Sequence, residues 1–90
     1  MKIENNTIIF KSLPEFFHKE KNGLKSNTIR KISYSDPKEW MDFVDFKREF
    51  DRLPNKKIQI INAVTQESFT RRLTDISAFE GHFIFSWREE

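Results

Sequence analysis

Ninety residues with 16 Lys and Arg against 14 Asp and Glu leave a formal charge of only +2, too small a surplus to argue for a polyanionic partner from net charge alone. The absence of cysteine excludes disulfides and thiolate metal sites and fits a reducing, cytoplasmic setting, and the two isolated histidines, His18 and His82, do not make a zinc site. No apolar run approaches the ~18 residues needed to cross a bilayer, and Met1-Lys2-Ile3-Glu4-Asn5-Asn6 lacks the core of a signal peptide.

The expectation is therefore a single cytoplasmic domain over residues 1–90, with no membrane contact, no metal and no cofactor. A chain this short buries only about 60% of its unfolded surface.

Thr7-Ile8-Ile9-Phe10 reads as a first strand. Ser12-Leu13-Pro14-Glu15 offers an N-cap, a proline in the first turn and a glutamate that closes a capping box, so a helix is predicted over 12–22. Leu13, Phe16, Phe17 and Glu20 fall on one stripe that Leu24 extends, and Asn22-Gly23 supplies the stop. Phe16 and Phe17 are expected in the core. A short strand over 27–32 follows.

Asp36-Pro37 with Glu39 is a second capping signal, and a helix is predicted over 37–52. Trp40, Phe43, Val44 and Lys47 lie on one side of it, with Phe46, Phe50 and Leu53 on an adjoining stripe. Residues 56–64 read as a strand, Thr65-Gln66-Glu67 as a hairpin loop and 68–76 as the return strand. In that return strand Phe69, Arg71, Leu73 and Asp75 alternate with Thr70, Arg72, Thr74 and Ile76, so each face mixes apolar and polar residues, as in a strongly bent strand. Ala78-Phe79-Glu80-Gly81 is a turn, and 82–87 a last strand that puts Phe83, Phe85 and Trp87 on one core face. The predicted class is α+β: a small curved sheet or barrel of about five strands with two helices.

Charge is unevenly spread. Residues 19–31 hold five bases (Lys19, Lys21, Lys25, Arg30, Lys31) and one acid, Glu20, whereas 36–52 holds six acids against four bases. Within the basic stretch, Gly23 ends a helix, Lys25 sits where the chain enters the next strand, and Thr28 and Arg30 share one strand face. An ammonium, a hydroxyl and a guanidinium converging on one spot suit an anionic or hydrogen-bonding ligand such as a nucleotide. The expected ligand-binding residues are Lys25, Thr28, Arg30 and Lys31, with the Thr28 hydroxyl facing the surface.

Gly23, Lys25, Thr28 and Arg30 stand in the spacing G-x-K-x-x-T-x-R, which resembles the signature of ASCH domains, small β-barrel relatives of the PUA and YTH RNA-binding modules. Threonine at the position of Thr28 is similar to a compact bacterial subgroup that hydrolyses N4-acetylcytidine. The resemblance implies a PUA-like barrel, an RNA or nucleotide ligand, and catalytic roles for Lys25 and Thr28: Thr28 as nucleophile, Lys25 as its activator and Arg30 as organiser of the site. It also requires a carboxylate. The subgroup takes that group from a helical segment between late strands, which residues 74–80 are too short to form. Asp75 and Glu80 are the nearest candidates, so a non-catalytic binding domain is favoured over an active amidohydrolase. The glycine-aspartate turn that follows the motif in ordinary ASCH domains is also replaced here by Leu53-Pro54-Asn55.

The alternative from a different class is an interaction module. Compact domains rich in lysine, asparagine and phenylalanine occur among products of phages and mobile elements that dock to a host protein, and the acidic helix over 36–52 would be the contact surface. A basic cleft at Lys25, Thr28 and Arg30 favours the first reading, and an exposed apolar patch on the second helix favours the other.

Overall fold

The computed structural model describes residues 1–88. Strands β1 (Lys2–Glu4) and β2 (Thr7–Ser12) form a hairpin across Asn5 and Asn6. Both asparagines have positive φ, 47° and 65°, as a two-residue type I′ turn demands and as asparagine tolerates better than most residues. Helix α1 (Pro14–Lys21), strand β3 (Asn27–Arg30) and helix α2 (Pro37–Arg52) follow, then β4 (Lys57–Asn62), β5 (Ser68–Phe79) and β6 (His82–Arg88). The strands make one six-stranded mixed sheet in the order β1-β2-β4-β5-β6-β3, so the class is α+β with one strand more than the sequence indicated.

Helix α2 has the predicted bounds, with Asp36 Oδ1 accepting from the Glu39 amide at 3.2 Å and Pro37 in its first turn. The start of α1 differs. Ser12 does not cap it; it is the last residue of β2, and Leu13 takes the cap position with no side-chain bond. The local pattern concealed this because Ser12 is claimed by the parallel pairing of β2 with β4, where it lies opposite Asn62. Leu13, Phe16 and Leu24 are exposed, so only Phe17 and Glu20 of the predicted stripe are buried.

In β5 the register slips between Leu73 and Asp75, an irregularity at Thr74 that changes which residues face inward. Phe69 and Leu73 are buried before it and Ile76 after it, which explains the mixed faces of the simple alternation. The β5–β6 turn places Glu80 and Gly81 at φ 49° and 78°.

One face of the sheet carries Ile8, Phe10, Ile58, Ile60, Phe69, Leu73, Ile76, Phe85 and Trp87, and the helices cover it with Phe17, Phe43, Phe46 and Phe50. Phe17 touches Phe69, Phe10 touches Phe85, and Phe43 stands 4.6 Å from Phe83 and 6.0 Å from Phe85, centroid to centroid. β3 and β2 are separated by three strands in the sheet order, about 19 Å if the sheet were flat, yet Arg30 of β3 bonds directly to Lys11 and Ser12 of β2. The open sheet is therefore curled so that its β3 edge comes back to β2, and that seam is bridged by a side chain instead of a backbone ladder. No helix among the described residues is long and apolar enough to cross a membrane.

Candidate functional site

The motif sits on this seam. Gly23, at φ 77°, turns the chain out of α1, and the Lys25 amide donates to the Lys19 carbonyl at 3.1 Å, which ties Lys25 to the end of the helix. Its ammonium lies 5.5 Å from the centre of the Phe16 ring. β3 then runs antiparallel to β6 with Thr28 opposite Phe85, so the Thr28 side chain points to the core side and is buried, contrary to the surface position expected from sequence.

Arg30 organises the wall. Its Nε donates to Thr28 Oγ1 at 2.9 Å, Nη1 to the Lys11 carbonyl at 2.7 Å and Nη2 to Ser12 Oγ at 2.6 Å, while the guanidinium stacks 4.9 Å from the Phe10 ring centre. Ser12 Oγ in turn donates to Glu20 Oε1 at 2.9 Å. Burial pushes the Arg30 guanidinium below its ordinary pKa, and the negative charge of Glu20 partly restores it; an arginine stays charged throughout. Glu20 is 1% exposed, and its second oxygen, Oε2, has no hydrogen-bond partner among the described residues.

Lys25, Thr28, Arg30 and Glu20 line one cleft of about 290 Å³, with Phe16 on its side. The sequence reading thus placed three of its four ligand residues together. Lys31 falls outside, in a neighbouring groove of about 710 Å³ that shares only Lys11 and Arg30 with the cleft. Asp75 and Glu80, the proposed carboxylates, do not reach the cleft either. Asp75 is exposed and pairs with Ser86, which pairs with Asn27, so it lies on the sheet face opposite Thr28, and Glu80 sits in the exposed β5–β6 turn. The carboxylate of the cleft is Glu20. Its signal in the sequence was an acid in the middle of an apolar helical stripe, a position that ionisable residues avoid unless something pairs with them.

No family model matches the chain, and neither does any curated protein or solved structure.

The cleft presents hydrogen-bond donors (the Lys25 ammonium, the Thr28 hydroxyl, two guanidinium N–H groups left over from three bonds) and an aromatic ring, and Glu20, whose buried Oε2 has no partner among the described residues, lies in its wall. Thr28 Oγ1 already accepts from Arg30, and among the described residues no hydrogen bond joins it to Lys25 or to Glu20. A nucleophile and its base work within hydrogen-bond reach of each other, a contact that often tightens only when substrate is bound.

Proposed function

We propose that this domain binds a nucleotide or RNA in the cleft between α1, β2 and β3, as the resemblance of its motif to ASCH domains implies. The observation that carries the reading is the convergence of Lys25, Thr28 and Arg30 on a cleft that also holds the unpaired oxygen of Glu20. A bare anion needs only the cations, and a buried carboxylate beside them would repel it. A nucleobase offers both donors and acceptors on its edges and a face to lie against Phe16, so it can fill both halves of the cleft.

Nucleotide titrations followed by NMR test this. The expected result is that the amides of Phe16, Glu20 and residues 23–30 shift first, that Lys25→Ala weakens binding and that Glu20→Gln changes which bases bind. Shifts confined to α2 would refute the reading. Hydrolysis is tested directly by incubation with N4-acetylcytidine: with no base bonded to the Thr28 hydroxyl among the described residues we expect no cytidine, and turnover abolished by both Thr28→Ala and Glu20→Gln would replace binding with amidohydrolase chemistry.

A second reading rests on an apolar depression beside α2, where Trp40, Val44 and Phe83 are half-buried and the exposed Tyr34 packs on Trp40 at 4.2 Å. This is the surface through which a host protein would be docked, and Trp40→Ala would abolish such a complex without touching the nucleotide cleft.

A further inference from the structure

We infer that the ligand is a single nucleic-acid strand lying along the seam between β3 and β2, with one base in the Glu20 cleft and the adjoining backbone in the groove lined by Lys11, Arg30 and Lys31. The inference rests on the nucleotide reading above and goes beyond it, because a free mononucleotide would use the cleft alone.

Three observations lead to a strand. First, the two depressions adjoin at Arg30 and Lys11, the only residues that line both, so a chain filling one can pass over that wall into the other. Second, their chemistry divides as a nucleotide chain divides. The cleft is walled by the Glu20 carboxylate, the Thr28 hydroxyl and the Phe16 ring, groups that suit a base, whereas the groove is more than twice as large and is edged by cations over the apolar side chains Ile9, Phe10 and Ile61. A positively charged groove that follows the backbone, beside a ring that accepts a base, is the common design of single-strand binding surfaces.

Third, four cations cluster along the seam with no carboxylate within salt-bridge distance among the described residues. On α2, Lys38, Lys47 and Arg48 each have an aspartate within salt-bridge distance, and Lys21 and Lys56 bind Glu67 and Glu49. Lys11, Lys25, Arg30 and Lys31 have no such partner among the described residues. The groove contains one carboxylate, Glu39, near α2's start and away from the shared wall, and Lys2 at its rim is paired with Glu4. Four cations without a salt-bridge partner among the described residues thus stand together along this one seam, a local field that suits a polyphosphate backbone.

The test compares a mononucleotide, a trinucleotide and a hexanucleotide of mixed sequence on the whole chain, by NMR for the mononucleotide and fluorescence anisotropy for the oligomers, with ribose and deoxyribose versions run in parallel to identify the sugar. Affinity is expected to rise at least about tenfold from mononucleotide to hexanucleotide at low salt. Three phosphates neutralised by Lys11, Arg30 and Lys31 give a slope of log affinity against log salt of about −2, at about 0.7 per phosphate for single strands. Lys31→Glu is expected to shrink the hexanucleotide-to-mononucleotide ratio severalfold; Lys31 is exposed and outside the core, so the variant folds, as its unchanged far-ultraviolet circular dichroism would verify. Mononucleotide binding with no gain in affinity with length would overturn the strand while leaving the nucleotide reading intact. A length dependence indifferent to Lys31→Glu would overturn the proposed path. Failure of every oligomer and nucleotide to bind would overturn both.

Discussion

Replacing Arg30 with methionine tests whether a side chain holds the curled sheet's β3 edge against β2. Methionine keeps the unbranched stem that lies against Phe10 and removes three hydrogen bonds. The Lys11 carbonyl is at the exposed rim, so water replaces its lost donor at little cost. Thr28 Oγ1 and Ser12 Oγ are part-buried and lose bonds from a charged donor, worth about 1.5 to 3 kcal/mol each. Relief of the guanidinium's desolvation offsets part of this, and Ser12 keeps its bond to Glu20, so the net loss is about 2 kcal/mol. For a domain of this size that lowers Tm by roughly 8 to 16 °C. A thermal melt by circular dichroism measures it, and hydrogen exchange should show β3 opening first. Arg30→Lys should fall nearly as far, since one ammonium cannot reach three acceptors arranged for a fork. A Tm within about 2 °C of the parent would mean that the seam is held by the core alone.

Thr28→Ala, innocuous if the hydroxyl faced solvent, should instead cost about 1 to 3 kcal/mol because the residue is buried and accepts from Arg30; urea melts of Thr28→Ala and the isosteric Thr28→Val separate the packing loss from the bond. Phe43→Ala, which removes a ring packed on Phe83 and Phe85, should cost about 3 to 5 kcal/mol, and an almost unchanged melt would show α2 to be peripheral. Glu49 and Glu67 are held below the ordinary carboxylate pKa by hydrogen bonds from Lys56 and Lys21. Their folded pKa values are depressed, so the stability they supply is complete above the unfolded value of about 4.3 and is lost as pH falls through the folded one. Tm measured from neutral pH to pH 3 should decline in that window and decline less in the Lys21→Met, Lys56→Met double variant; an identical acid limb would refute the assignment.

What the sequence made legible were the elements with local causes. α2 has a capping aspartate, a proline at its first position and an uninterrupted apolar face, and its bounds follow from them. Long-range pairing was not legible. Ser12 looks like a cap until β4 claims it, and β1 is too short to show periodicity, although Asn5-Asn6 was a usable turn signal. The candidate site divides the same way. The motif residues lie within a few positions of one another and were grouped correctly, but Glu20 reaches them only through Ser12, and Arg30 meets Ser12 only because the sheet curls. Asp75 was misplaced by the irregularity at Thr74 and by the pairing of β5 with β6, neither of which has a local signature.

The position of β3 in the sheet fixes the order in which the cleft can be assembled. β3 is an edge strand whose only ladder partner among the described residues is β6, the last strand in chain order, and β2 is paired in parallel with β4 only after α1, β3 and α2 have been laid down between them. Thr28 and Arg30 therefore have no scaffold until residues 82–88 have been made and paired. Contacts so distant along the chain form slowly. A nascent chain that lacks its final hairpin carries the motif without the cleft, so ligand affinity reports on completion of the whole sheet, and an insertion that disturbs the Glu80-Gly81 turn would silence the site without approaching it.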